Sequence, residues 1–416
     1  MKASAESAPL PGPAVEARTS ESHNAPAQRR VIGPGETASL PHVLYIMDQL
    51  CQLGGAERIL LEITRRIAPD RFRCSVVTFK VDSNLDALKR IGCPIRVLPL
   101  QRTYGWQALR VALQLREFVR KEKVSIVHSF FETSDLWAAP IAKWSGCPVM
   151  VSSRRDMGIL RRRKHALAYP IVNPLFDRVL AVSEEVRSYC LNHDRLPPEK
   201  VETLHNGIDL DELSANAAKY DARVHFALPP NARVISTVAN IRAVKGLDVL
   251  VRAAALVCRE FPDALFLIAG SVLEAELYAQ LQSLVGSLRL ENNVRFLGKV
   301  SNPAPLLRAS ALFCLPSRTE GFSNALVEAM GSGLACVATR VGGNAEALTE
   351  GISGYLVASE VAEELADRVL RLLRNPELRG QMGRAARAAV EERFSMQVMM
   401  NRLMDIYDEL LALKHV

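Results

Sequence analysis

Thr319-Glu320-Gly321-Phe322-Ser323-Asn324-Ala325-Leu326-Val327-Glu328-Ala329-Met330-Gly331-Ser332-Gly333 is the stretch on which the reading of this chain turns. The apolar run before it, Ala311 to Leu315, reads as a buried strand, and the residues from Ser323 onward read as a helix. Glu320 then lies on the connecting turn and Glu328 further along the helix. A helix N-terminus carries unpaired N–H groups and partial positive charge, so the start at Ser323, Asn324 and Ala325 can receive a phosphate. Glu328, on the first turns, can accept hydrogen bonds from ribose hydroxyls. Glu320 can hold the hydroxyls of a sugar beyond the phosphates. That outlines a nucleotide-sugar site, although a strand, turn and helix with scattered glutamates is also ordinary α/β construction.

Outward from this stretch, strands and helices alternate. Predicted strands are His42–Met47, Cys74–Phe79, Ile95–Leu98, Val124–His128, Val149–Ser152 and Val179–Val182, with helices at Ala56–Ile67, Trp106–Lys121, Leu136–Trp144 and Glu184–Leu191. Such alternation implies a parallel sheet covered on both faces. The pattern pauses at Asn206-Gly207-Ile208-Asp209 and in the polar residues up to Asn231. It restarts with Arg233–Ala239, Leu265–Ala269, Val294–Leu297, Ala311–Leu315 and Leu334–Ala338. The chain is therefore read as α/β, with two Rossmann-like doubly wound domains facing across a cleft, because such sheets bind ligands at the carboxyl ends of their strands. The expected boundaries are a disordered leader over 1–40, a first domain over 41–206, a connection over 207–231, a second domain over 232–392 and a closing helix over 393–416.

A chain of 416 residues suits two domains better than one core. Its 49% apolar content is that of a globular protein, and no apolar run is long enough to span a membrane. The N-terminus lacks the apolar stretch of a secretory signal. Eight cysteines are scattered without metal-ligand spacing and read as reduced core residues, which points to the cytoplasm. The net charge of +7 is unevenly placed: Arg154, Arg155, Arg161, Arg162, Arg163 and Lys164 are opposed locally only by Asp156. A basic cluster of this kind is commonly a solvated face, but it can also meet an anionic membrane, at about 1 kcal/mol per residue. Nucleic acid is disfavoured, since no aromatic residues interleave with the cluster.

Taken with Gly331, Gly333 and the closing Val341-Gly342-Gly343-Asn344-Ala345-Glu346, the stretch resembles the donor-binding signature of retaining glycosyltransferase family four, the glycosyl transferases group 1. The resemblance covers roughly residues 42 to 413. It implies the GT-B fold, with a last helix that returns to the first domain. It also implies a site in which Gly321, Phe322, Ser323, Asn324, Ala325 and Glu328 hold the nucleotide and Glu320 orients the sugar. The related enzymes grip the diphosphate with an arginine and a lysine five positions apart. In Asn240-Ile241-Arg242-Ala243-Val244-Lys245-Gly246 the lysine is matched by Lys245, while Asn240 stands at the arginine position and Arg242 would substitute by a different reach.

Three further features lie at the expected cleft. Gly54 and Gly55, after the first strand, let backbone N–H groups approach a ligand, and a similar glycine loop lies near donor and acceptor in the resembled family. The Gly-x-Gly-x-x-Gly fingerprint is absent. His128 ends a strand and would point into the cleft, although a histidine so placed is more often a hydrogen-bonded structural residue; the second histidine that related transferases carry two residues on is here Phe130. Arg154 and Arg155 follow another strand, where they would meet a phosphorylated acceptor. Asp209-Leu210-Asp211 lies in the connection and reads as a helix cap, not a metal motif.

The reaction implied is transfer of a sugar from a nucleotide-diphosphate donor to a hydroxyl of a lipid-linked or polysaccharide acceptor, with retention and without a metal or other cofactor. Lys245, Arg242 and the helix start would stabilise the departing diphosphate. The basic cluster Arg161–Lys164 would give peripheral contact at the inner membrane face. Three rivals are a same-fold sugar-nucleotide epimerase, a catalytically silent scaffold of polysaccharide assembly, and a nicotinamide oxidoreductase, which the missing fingerprint disfavours.

Overall fold

The computed structural model describes residues 40–51, 54–82, 88, 91–158 and 163–415, with the side chains of Arg163 and Lys164 left aside. The leader expected over 1–40 falls outside these residues except for Leu40, and so do Arg161 and Arg162 of the basic cluster.

Two all-parallel sheets organise the chain. The first holds β1 (His42–Met47), β2 (Arg73–Thr78), β3 (Ile95–Val97), β4 (Val124–Phe130), β5 (Val149–Arg154), β6 (Arg178–Ala181) and β7 (Val201–Thr203), in the order β3-β2-β1-β4-β5-β6-β7. The second holds β8 (Arg233–Val238), β9 (Ala264–Ala269), β10 (Val294–Gly298), β11 (Leu312–Leu315), β12 (Cys336–Thr339) and β13 (Gly354–Val357), in the order β10-β9-β8-β11-β12-β13. Each order reverses beside its first strand, at β1/β4 and at β8/β11, which is where doubly wound sheets open a crevice. Central strands such as β1, β9 and β12 are buried along their whole length, as expected when helices cover both faces.

The faces of the first sheet are covered differently. One packs Val111, Leu115 and Val119 of the Trp106–Lys121 helix with Ala139, Ala142 and Phe176. The other packs Ile59, Leu60 and Ile63 of the Gly55–Arg66 helix with Met400, Leu403, Ile406 and Tyr407 of the last helix, Met396–Leu413. The final helix therefore lies on the first sheet. The connection at 207–231 is more ordered than its polarity suggested, holding helices at Leu210–Ala217 and Ala222–His225. Asp209 caps the former, its carboxylate accepting the Glu212 N–H at 2.7 Å.

Candidate functional site

β11 ends at Leu315, and the chain turns through Ser317 and Glu320 before Ser323 caps the Asn324–Gly331 helix by accepting the Leu326 N–H at 3.3 Å. The turn is held tightly. At Gly342, where φ is +53°, a Cβ would come 1.8 Å from the Glu320 carbonyl oxygen. Only glycine accepts both that approach and that backbone angle cheaply.

Lys245 lies on the short turn after β8. Its Nζ donates to Glu320 Oε1 at 2.5 Å, and Ser317 Oγ donates to the same oxygen at 2.6 Å. The Glu320 side chain is nine-tenths buried. The lysine turn is fixed to the glutamate turn by Arg318, which donates to the Ala243 carbonyl at 2.6 Å and to Asp248 Oδ2 at 3.0 Å, and also pairs with Glu360. These acidic partners hold the Arg318 guanidinium above its ordinary value. Arg318 and Ser317 went unread in the sequence; their position next to Glu320 was the available signal. Asn240 Oδ1 accepts the Ser271 N–H at 2.9 Å and so anchors the loop. Arg242 faces Glu274, with Nε 3.8 Å from Oε1 and both side chains more than two-fifths exposed.

Asn324 and Glu328 open into a cavity of about 390 Å3 that Arg58, Gly207, Asn302 and Met396 also line. Burial pushes the Glu328 carboxyl up from its ordinary range, opposed by Arg58, whose Nη1 lies 3.7 Å from Oε1. Gly55 starts the helix across from this one, and a Cβ on it would lie 3.4 Å from Asn324 Nδ2. Asn206 Nδ2 donates to Asn324 Oδ1 at 2.6 Å, while Arg155 donates to Asn206 Oδ1 at 2.6 Å. The Arg155 carbonyl oxygen would lie 2.2 Å from a Cβ on Gly321. The Arg155 guanidinium is pushed down to about 10 by burial, with Glu57 and Asp156 opposing. The structure thus gathers Gly55 and Arg155 from the first sheet's loops beside Gly321 and Asn324 from the second's, while Gly54 lies against Glu57 of its own helix.

Two residues expected at the cleft are elsewhere. His128 is buried beneath the last helix, its ring nitrogens 2.6 Å from the Tyr407 hydroxyl and 2.8 Å from Ser153 Oγ. Its ring stacks on Phe130, and burial pushes its pKa down to about 3. The reason is register: His128 shares a face of β4 with Ile126 and Phe130, which belong to the core under Tyr407. Arg154 takes the opposite face of its sheet. It donates to Asn173 Oδ1 at 3.1 Å, lies 3.6 Å from Asp135 and 3.8 Å from Asp194, and stacks over Tyr169. Only its neighbour Arg155, past the end of β5, reaches the crest.

Glu346 carries a contact that the sequence did not suggest. Its carboxylate accepts the N–H groups of Glu184 at 2.8 Å and Glu185 at 3.3 Å, at the start of the Glu184–Asn192 helix, and lies 2.7 Å from His205 Nε2. Among the described residues no three His, Cys, Asp or Glu side chains group as a metal site.

Comparisons with known proteins bear on the family and the fold. The family model described as Glycosyl transferases group 1 matches residues 219–389, and that described as Glycosyltransferase Family 4 matches residues 53–212. N-acetyl-alpha-D-glucosaminyl L-malate synthase of Bacillus anthracis is 32% identical over 236 residues, 56% of this chain and 60% of that relative's length. An Escherichia coli UDP-Gal:alpha-D-GlcNAc-diphosphoundecaprenol alpha-1,3-galactosyltransferase is 22% identical over 87% of this chain and 95% of its own. Among solved structures, Anabaena HepE in complex with UDP and glucose superposes with a TM-score of 0.77 at 21% identity, covering 88% of this chain and 99% of that one. The two matches divide the chain as its two sheets do, and with the parallel topology of each sheet they place it among the group 1 glycosyl transferases, enzymes of the GT-B fold.

Proposed function

We propose that the protein transfers a sugar, with retention and without a metal, from a nucleotide-diphosphate donor to a hydroxyl of a lipid-linked or polysaccharide acceptor. The observation that carries this reading is the meeting of Lys245 and Glu320 at 2.5 Å on the turn that opens into the Asn324–Gly331 helix, with Glu328 on that helix. A cation, two carboxylates and a helix start suit a diphosphate flanked by a ribose and a sugar. The complex of HepE with UDP and glucose supports a nucleotide donor, and the named substrate of the Escherichia coli relative supports a lipid-diphosphate acceptor. Cytoplasmic work at a membrane face suits such an acceptor, and no helix among the described residues is long and apolar enough to cross a membrane.

In the reaction the bond from the anomeric carbon to the phosphate oxygen breaks while the acceptor oxygen bonds that carbon from the same face. The acceptor's proton passes to the departing phosphate. Charge grows on the diphosphate, and Lys245 with the Asn324 and Ala325 N–H groups stabilises it. Glu320 fixes the sugar and Glu328 the ribose. Arg242 contributes once it leaves Glu274. A charge-assisted bond of about 2–3 kcal/mol corresponds to roughly 30- to 150-fold in rate. Lys245→Ala should therefore lower nucleotide release per folded molecule by at least that factor. Parental turnover in this variant would remove the assignment.

A further inference from the structure

The helices covering one face of the first sheet are apolar on both sides. The Trp106–Lys121 helix buries Ala108, Val111, Leu115 and Val119 against the sheet. Its outer side should be polar, yet Trp106 is 86% exposed, and Leu109 and Leu113 are half exposed or more. On the neighbouring helices of the same layer, Trp144, Leu167 and Ile171 are each at least three-quarters exposed. Tyr104, Trp106 and Trp144 are the only exposed aromatic side chains among the described residues. Single exposed leucines are ordinary, but aromatic and aliphatic side chains gathered on one layer mark an interaction surface.

The charges nearby identify the partner. Beyond Leu113 the outer side of the same helix carries Arg116, Arg120 and Lys121, followed by Lys123, all exposed. None of the four has a carboxylate in ion-pair range among the described residues. Glu117 is the only exposed acid on that helix. The Arg163–Val172 helix, which presents Leu167 and Ile171, begins within the basic run of the sequence. Tryptophan and tyrosine favour the membrane–water boundary, and a helix with apolar and basic surface lies in that plane. Two copies meeting about a two-fold axis would bring these unpaired cations together, whereas anionic lipid neutralises them.

We propose that this layer docks on an anionic membrane surface, with Trp106, Leu109 and Leu113 entering the boundary and Arg116, Arg120 and Lys121 meeting lipid phosphates. The proposal deepens, and rests on, the reading of an acceptor used at a membrane face. Its test is flotation of the full chain with vesicles of phosphatidylcholine, alone or mixed with phosphatidylglycerol, with no donor or acceptor present; failure of the transferase reading therefore cannot be confused with failure of the docking surface. The parent should float with the mixed vesicles and be released by salt. Combined Trp106→Glu, Leu109→Glu and Leu113→Glu, all outward-facing, should lower the bound fraction roughly tenfold or more. Combined Arg116→Gln, Arg120→Gln and Lys121→Gln should remove the preference for phosphatidylglycerol, and Ile352→Glu, exposed on the second sheet's side, should change nothing. Parent protein that floats with neither vesicle, or a triple glutamate variant that floats as well as the parent, overturns the proposal. So does a parent dimer on gel filtration that the glutamates convert to monomer.

Discussion

Arg154 and Arg155 are adjacent, yet one is structural and the other faces the crevice. The alternation of a strand sends Arg154 into the core, where its guanidinium is held between Asp135 and Asp194. Burial pushes the Asp135 carboxyl up and Arg154 opposes that, so the two groups depend on each other. Arg154→Ala should leave Asp135 buried without its counter-charge and cost about 3–5 kcal/mol, read from denaturant unfolding. The affinity of the folded fraction for a nucleoside diphosphate should be unchanged; a selective loss of that affinity at full stability would return Arg154 to the site. The same logic separates the two loop cations. Arg242 holds only an exposed pair with Glu274, the kind worth about 0–1 kcal/mol, so Arg242→Gln should leave stability intact. Its effect on nucleoside diphosphate affinity by calorimetry should be smaller than that of Lys245→Ala. Equal effects would show that Arg242 leaves Glu274 to share the diphosphate fully.

The elements differ in how plainly the sequence announces them. Long buried strands such as His42–Met47 and helices with a clear apolar stripe such as Trp106–Lys121 are legible from periodicity, since packing on two faces requires those patterns. Val201–Thr203 and Gly354–Val357 escaped because three or four residues carry no period, and the second opens on glycine. The local structure of the candidate site was legible in the strand, turn and helix that carry Glu320, Ser323, Asn324 and Glu328. It was illegible where it depends on which strand face meets which helix, as for His128. The Glu320 turn combines both cases, because its glutamate can be read from sequence while its support from Gly342 and Arg318 cannot. Gly342→Ala adds a Cβ 1.8 Å from the Glu320 carbonyl at a backbone angle that suits glycine. It should cost about 1–3 kcal/mol and displace Glu320 from Lys245. Sugar transfer should fall by more than the fraction unfolded; activity per folded molecule equal to the parent's would mean the turn tolerates the shift.

At the scale of the molecule, the two sheets are tied by an apolar cluster that holds Val182 with Phe322 and Leu326, by polar contacts beside the crevice and by the last helix, which returns to the first sheet. Glu346 is the most connected of these ties, accepting two helix-start N–H groups and facing His205. Burial alone would raise its carboxyl, but His205 and the backbone N–H groups of Glu184 and Glu185 outweigh that, and the net shift is downward from the ordinary 4.5. A folded-state value below the unfolded one contributes stability that is fully present above the unfolded value and is lost as pH falls through the folded one. At neutral pH, Glu346→Gln should therefore lower stability by about 1–2 kcal/mol, since one charge-assisted acceptor is replaced by a neutral one. Below pH 4.5 the gap between parent and variant should close as Glu346 itself protonates. Urea midpoints of both proteins at pH 7 and at successive acid values provide the measurement. A gap that persists unchanged into acid would mean that the tie depends on the shape of residue 346 and not on its charge.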